Sequence, residues 1–313
     1  MRGFRLIPAN TKFAFIPKRR AFFAFSIALV VASVALFLVK GLNYGIDFQG
    51  GILLEVRTEG PADIAAMRST IGGLGLGEVG LQEFGAPDTI LIRVQKQEGG
   101  EKAQQTTVDA VKGALGSGVE YRRVELVGPK VSEELFWDGV YAVSAAILAI
   151  LVYIWFRFEW QFGLGAVVAL VHDVLSTIGI FALLGLEFNL STVAAILTIA
   201  GYSINDTVVV YDRVRENLRR YKSATLAEVL HRSVNETLSR TVMTSVTTLL
   251  ALFSLYFLGG EVIRGFSFGM IWGVLIGTYS SICLAVPLLL YLNVRRRTGP
   301  KEDGAGAPAE ETP

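Results

Sequence analysis

The chain has 313 residues, a formal net charge of +1 and 52% hydrophobic residues, with a mean hydropathy of +0.48. That hydropathy is too high for an ordinary soluble protein of this length and indicates a membrane protein. The near-neutral charge gives no sign of a nucleic-acid partner. The single cysteine, Cys283, excludes a disulfide within the chain and leaves the redox compartment open.

Residues 1–20 are basic and are predicted to form a cytoplasmic arm. A first membrane span is predicted at residues 21–39. A cleaved signal peptide is the alternative interpretation, but the apolar run continues without the usual small-residue cleavage site. Residues 40–135 contain no run of spanning length and are predicted to fold as a separate domain outside the membrane.

Strand formers and helical periodicities alternate within this domain. Pro61 and Asp63 open one helical stretch, and a hairpin turn is predicted at Gly85-Ala86-Pro87-Asp88. The order βαββαβ predicts a ferredoxin-like α+β fold. Strands are predicted at 51–58, 79–84, 89–95 and 119–127, and helices at 61–71 and 101–115.

Five more apolar runs lie within residues 136–294, and each can cross a hydrocarbon core of about 30 Å. The predicted fold class is therefore a polytopic α-helical membrane protein, with six transmembrane helices and a small extracytoplasmic domain between helices 1 and 2. Lysines and arginines cluster in the arm, in a long loop at 212–240 and in a low-complexity tail at 295–313, which is predicted to be disordered. The positive-inside rule then predicts that both termini are cytoplasmic.

The loop at 212–240 contains a capping box, formed by Thr225 and Glu228, that begins an amphipathic stretch. Its apolar stripe is predicted to lie on anionic lipid, and a dedicated partner site is the alternative. The stripe comprises Leu226, Val229, Leu230, Val234 and Leu238.

The fourth span contains a carboxylate, Asp206, well inside its apolar run, with Asn205 beside it and Thr198 and Tyr202 on the same helical face. A charge there costs on the order of 2.5–3.5 kcal/mol on insertion scales, so it usually has a partner and a function. Arg240, at the start of span five, is predicted to lie at a depth where it can pair with Asp206. The alternative is an ion pair with a structural role only.

Two further patterns lie in spans three and six. His172 and Asp173 are placed near the membrane midplane and can both bind protons, so they are candidates for a proton relay, with a satisfied polar network as the alternative. Small residues recur every four positions in span six and predict close helix packing. These are Gly265, Gly269, Gly273 and Gly277. The sequence contains no P-loop, metal-ligand cluster or nucleophile elbow, so no enzymatic activity is predicted.

The segment Tyr44–Gly51 (YGIDFQGG) resembles the glycine signature that follows the first span in the SecF family, the smaller subunits of SecDF protein-export complexes in the resistance-nodulation-division superfamily. Its signature positions here are Gly45, Asp47, Phe48, Gly50 and Gly51. Val127–Val131, Val171–Asp173 and Gly201–Arg213 resemble further segments of the family, and the likeness extends from about residue 41 to residue 297.

This resemblance implies a bacterial inner-membrane subunit that works with SecD and the SecYEG channel, using the proton-motive force to move a preprotein outward. YajC and YidC are further partners that it suggests. It implies no cofactor or metal beyond the proton gradient, and it assigns proton coupling to Asp206 and Arg240, with Asn205 in support. The alternatives are half of a proton-driven exporter of lipids or small molecules, and a structural subunit without ion coupling.

Overall fold

The computed structural model describes residues 13–97, 99–292 and 294. The first apolar run forms helix α1 (Arg19–Lys40), which ends at Gly41 with φ +73°. The predicted tail and residues 1–12 of the predicted arm lie outside the described residues. The rest of the arm packs on the bundle, where the Phe13 amide donates to Oδ1 of Asn235 at 2.8 Å.

An α/β domain follows α1. A two-residue strand β1 (Asn43–Tyr44) and a single helical turn α2 (Ile46–Gln49) precede the main sheet. The domain continues with β2 (Gly51–Thr58), α3 (Ile64–Gly72), β3 (Val79–Phe84), β4 (Ala86–Val94), α4 (Gly100–Leu115) and β5 (Val119–Val127).

The sheet is antiparallel with the strand order β3-β4-β2-β5, as a βαββαβ ferredoxin-like domain requires. Strand β2 is central and buried on both faces. Ile52, Leu54 and Val56 face the core under the two helices, while Leu53 packs with Ile46 and Leu91 on the opposite face. The predicted hairpin is tighter than expected, because only Gly85 lies between β3 and β4 and it takes φ +81°.

Five long helices follow, together with a second two-residue strand, β6. They are α5 (Pro129–Arg157), α6 (Trp160–Leu184), β6 (Glu187–Phe188), α7 (Leu190–Arg220), α8 (Leu226–Leu258) and α9 (Arg264–Ser280), the last continued by a π-helical turn at Ser281–Ala285 and by α10 (Val286–Leu288). Six helical segments of the described chain are long and apolar enough to cross a membrane. The predicted fold class is confirmed.

The six spans are not equivalent. Most of the apolar window of α9 and over half of that of α7 are buried within the chain, 72% and 56%, against 11% for α1 and for α5. The interior of the bundle is therefore built from α6, α7 and α9. The end of the bundle next to the α/β domain is called the domain end below, and the other is called the far end.

The predicted long loop at 212–240 is wrong. Helix α7 continues to Arg220 and α8 begins at Leu226, so only Tyr221–Thr225 connects them. The capping box of Thr225 and Glu228 is present, but the stripe it introduces is buried in the protein core instead of lying on lipid. The prediction failed because charged side chains were assigned to a loop, whereas they form ion pairs between helices. Arg157 pairs with Asp212 at 2.7 Å and Arg213 with Glu236 at 2.7 Å.

Candidate functional site

Asp206 lies on α7 and is only 3% exposed. Its Oδ2 atom is buried and has no hydrogen-bond partner within the described part of the chain. The neighbouring Asn205 points outward and is exposed. A carboxylate oxygen left unsatisfied inside an apolar helix is energetically costly, so this site requires a proton, water or a group from another chain.

Arg240 lies on α8 and is exposed in the single chain. Its charge acts on the Asp206 carboxylate, but no ion pair within 4.0 Å joins the two among the described residues. The expected direct contact is therefore absent. The arrangement leaves Asp206 free to change its protonation without first breaking a salt bridge.

A second carboxylate, Asp173 on α6, is fully buried and well satisfied. Its Oδ2 accepts hydrogen bonds from the hydroxyls of Ser203 on α7 at 2.5 Å and Ser280 on α9 at 2.7 Å. Its Oδ1 lies 2.9 Å from Nδ1 of His172. One side chain thus ties together the three helices that form the interior of the bundle.

The sequence reasoning missed these serines. Ser203 precedes Asp206 by three residues, so the hydrogen bond that Ser203 donates to Asp173 holds the helical turn that carries Asp206. One residue further on, the hydroxyls of Thr207 and Ser281 lie 2.8 Å apart. A usable signal was the adjacent pair Ser280-Ser281, where α9 passes into the π-helical turn.

His172 has a less complete environment. Its Nε2 is buried without a partner in the described structure, and its ring centroid lies 6.0 Å from that of Tyr279. The Tyr279 hydroxyl is 3.0 Å from that of Ser26 on α1. The contacts of Asp173 are those of a helix clamp, and a proton relay through the His172–Asp173 pair stays a prediction.

Glycines of α9 lie where this helix packs against α6 and α7. A Cβ atom added at Gly273 would lie 2.2 Å from Ile199 of α7, one at Gly277 would lie 3.1 Å from Ser203, and one at Gly269 would lie 3.3 Å from Phe181 of α6. Gly265 has nothing within 4 Å at that position. Three of the four predicted glycines therefore mediate packing within the chain, and Gly265 does not.

Replacing Gly273 by alanine is expected to destabilise the bundle by about 1–3 kcal/mol, because Ile199 must move to admit the methyl group. Gly265→Ala is the matched control on the same helix and is expected to be neutral or slightly stabilising. Unfolding by SDS titration in mixed micelles measures both. Equal midpoints for the two variants would contradict the assigned packing role.

The glycine signature lies at the domain end of α7. Strand β1 pairs in parallel with β6, and the Gly45 amide donates to the carbonyl of Phe188 at 2.9 Å. The Asp47 carboxylate accepts from the Leu190 amide, the first residue of α7, at 2.9 Å. Gly51 has φ +125°, and a Cβ there would lie 2.6 Å from the Val94 carbonyl oxygen, so only glycine fits beside β4.

The four-stranded sheet also contacts the residues that precede α7. Arg93 of β4 forms an ion pair with Glu187 of β6 and also donates to Oδ1 of Asn43 at 3.2 Å. Burial raises the pKa of the Glu187 carboxyl, with Arg93 and Arg123 opposing the change and Asp47 adding to it. The carboxylate is therefore costly to keep charged in this contact despite its cationic partners.

The raised pKa of Glu187 predicts the direction in which docking of the α/β domain on the bundle changes with pH. A Glu187 released to solvent has its ordinary pKa, near 4.5, whereas the docked residue has a raised one, so the docked form binds a proton more readily. Docking of the domain is therefore expected to strengthen as the pH falls from above the raised pKa towards 4.5, and to level off below that. Amide exchange of residues 43–50, corrected for intrinsic rates, measures this. Glu187→Gln should remove the pH dependence, and a dependence that survives this variant would contradict the assignment.

One face of α7 remains uncovered within the membrane-spanning region. Ala194, Thr198, Gly201 and Asn205 are exposed along it, and Arg240 is exposed on the adjoining helix. A charged and polar surface of this kind is unfavourable against lipid tails, so it indicates contact with another protein or with water. Among the described residues, no group of three or more metal-ligating side chains is present.

Two sequence families match the chain. Residues 107–295 match "Protein export membrane protein SecD/SecF, C-terminal", and residues 35–62 match the "SecD/SecF GG Motif". The protein translocase subunit SecF of Rhodobacter capsulatus is 49% identical over 313 residues, covering 95% of this chain and 94% of that one. SecF of Cereibacter sphaeroides is 47% identical over 308 residues, covering 96% and 95% respectively.

Solved structures of SecDF show the same fold. A crystal structure from Thermus, described as a translocon-associated membrane protein, superposes with a TM-score of 0.83 at 36% identity over 93% of this chain. SecDF in its super-membrane-facing form gives a TM-score of 0.68 at 35% identity over the same share. The chain covers only 40% of the length of either SecDF chain.

Proposed function

The chain belongs to the SecF family of protein translocase subunits, and on that premise we propose that it helps to move preproteins through the SecYEG channel by using the proton-motive force. The observation that carries the proposal is the buried Asp206 carboxylate, which has one unsatisfied oxygen and no salt bridge to any residue that the structure describes. Such a group can take up and release a proton within the membrane.

In the proposed cycle, proton binding neutralises Asp206 and removes its attraction to Arg240. Loss of the proton restores that attraction and draws α7 towards Arg240, near the middle of α8. Each charge that crosses 100 mV contributes about 2.3 kcal/mol, enough to change the ratio of two conformations by about 50-fold. Asn205, exposed one residue away, supports the site from the partner-facing side.

His172 and Asp173 have a less direct part in this proposal. The hydrogen bonds of Asp173 hold α6, α7 and α9 together, so a displacement of α7 would carry these helices with it. A relay through His172 is the competing role.

The partner that fits the exposed polar face of α7 is a SecD chain. The 40% share of SecDF that this chain matches is consistent with a SecD part making up the remainder. SecYEG, the translocating preprotein, YajC and YidC complete the proposed set of partners. We place the protein in the bacterial inner membrane with both termini cytoplasmic and the α/β domain outside, and we assign it no hydrolytic activity and no cofactor besides the proton gradient.

The test is a reconstitution of SecYEG vesicles with and without the SecD–SecF pair. A preprotein with one end already translocated should complete its export when a proton gradient is imposed, and it should do so only with the pair present. Equal completion without the pair, or without the gradient, would contradict the proposal. Recovery of SecD in equal amount with this chain from native membranes checks the partner independently.

A further inference from the structure

The α/β domain is attached to the membrane bundle in two different ways. It is covalently joined to α1 through residues 41–42, and to α5 through Gly128, which directly follows β5. Its attachment to α7 is noncovalent and is made by two groups of residues, the signature segment 43–50 and the sheet residue Arg93. The helix that carries Asp206 is therefore connected to the outer domain by side-chain and backbone contacts alone.

The first of these groups caps α7. The four N-terminal amides of a helix have no partner within it. Asn189 accepts from the Thr192 amide at 3.1 Å, whereas the Leu190 amide donates to Asp47, which lies 143 residues earlier in the chain. A carboxylate at this position also interacts favourably with the helix dipole. The signature aspartate thus satisfies a first-turn amide that the local capping box of Asn189 and Thr192 does not reach.

The second group connects the sheet to the same turn. Arg93 is on β4, which pairs with both β2 and β3, so its position is fixed by the sheet. Its guanidinium contacts Glu187, three residues before α7, and Asn43 of the signature segment. Asn43 in turn donates to the Gly185 carbonyl at 3.0 Å. The sheet, the signature segment and the start of α7 therefore form one continuous hydrogen-bonded unit.

We infer that Asp47 and the Arg93–Glu187 pair are positioning residues that couple the outer domain to α7. The inference rests on the proposed function. A displacement of α7 relative to α1 and α5 must then either rotate the domain about its covalent connections or break these contacts. Gly41, with φ +73° and open space around it, is placed to absorb such a rotation.

The experiment uses the assembled SecD–SecF complex in vesicles and compares export driven by the proton gradient with the amount of SecD recovered with this chain. Asp47→Ala is expected to lower the gradient-driven rate by about 5- to 10-fold and to leave the recovery of SecD unchanged. Asp47→Asn, which keeps an acceptor oxygen, should retain more of the rate. Asp63→Ala is the matched control: Asp63 caps α3 in the same domain by accepting from Ala66 and lies away from α7.

The Arg93–Glu187 ion pair allows a rescue test in which the two charges are exchanged. A purely structural role does not predict a loss and a rescue that are confined to gradient-driven export. Arg93→Glu and Glu187→Arg should each lower the gradient-driven rate, and the double exchange should restore it. Amide exchange of residues 43–50 reports whether docking is lost in the single variants. The double exchange remains informative even if a single variant assembles poorly.

Wild-type gradient-driven export in variants whose docking is lost would overturn the coupling. Asp206→Asn, measured in parallel, separates this failure from a failure of the proposed function. If Asp206→Asn loses gradient-driven export while Asp47→Ala and Arg93→Glu retain it, only the coupling is wrong. If Asp206→Asn also retains it, the proposed function is wrong as well.

Discussion

Asp206→Asn is expected to lower export driven by the proton gradient by about 10- to 50-fold in an assembled SecD–SecF complex. Asparagine has nearly the same shape as aspartate but cannot exchange a proton. The upper bound follows from the roughly 2.3 kcal/mol that one charge gains across 100 mV, which corresponds to a factor of about 50. The rate of completion of a half-translocated preprotein in vesicles measures the effect.

The matched control for this prediction is Asp212→Asn. Asp212 is on the same helix, six residues further on, and its carboxylate bonds Arg157 through both oxygens at 2.7 Å. That pair is about 40% exposed, so it contributes at most about 1 kcal/mol to stability. Export by Asp212→Asn should stay within about twofold of wild type. Equal losses in the two variants would show that any carboxylate on α7 matters, and would contradict a special role for Asp206.

Exchange of the two charges tests the structural-subunit alternative. If Asp206 and Arg240 were only a buried pair, the combined Asp206→Arg and Arg240→Asp variant would restore assembly and export together. No direct ion pair joins them in the described structure, and Arg240 is exposed. The exchanged variant is therefore expected to remain defective in gradient-driven export, whatever its level of assembly. Restored export would favour the structural subunit.

The sequence predicted the spans and the ferredoxin-like domain because both depend on local patterns. A run of about twenty apolar residues crosses a membrane in most contexts, and a short run rich in strand formers such as Gly51–Thr58 favours a strand. The error at 212–240 has a physical cause. Charge was taken as a sign of a loop, but several charged side chains of α7 and α8 form ion pairs on helices, Arg213 with Glu236 between the two helices and Arg232 with Glu236 within α8.

The attachment of the domain could not be predicted in the same way. Strands β1 and β6 have two residues each, and their partners are separated by more than 140 positions, so no local pattern marks them. Asp47 was singled out by resemblance alone, and its role as a cap of α7 is visible only in three dimensions. The serines around Asp173 were missed for a similar reason, since Ser203 and Ser280 each bond a carboxylate on another helix.

Asp173→Ala is expected to destabilise the bundle by about 1–3 kcal/mol. The substitution removes the acceptor for two hydrogen bonds between helices, from Ser203 and Ser280, and each such bond contributes about 0.6–1.7 kcal/mol. Ser203→Ala and Ser280→Ala each remove one donor and should cost correspondingly less. The free energy of unfolding in an SDS titration measures all three variants.

Asp173→Asn then separates a helix clamp from a proton relay. Asparagine retains one carbonyl oxygen for the serine hydroxyls, so as a clamp it should cost only about 1 kcal/mol and reduce gradient-driven export by less than about threefold. A relay needs the exchangeable proton itself, so Asp173→Asn would then lose as much export as Asp206→Asn, at nearly normal stability. The three satisfied contacts of Asp173, against the unsatisfied oxygen of Asp206, favour the clamp. A loss of export without a loss of stability would reverse that assignment and place His172 and Asp173 on the proton path.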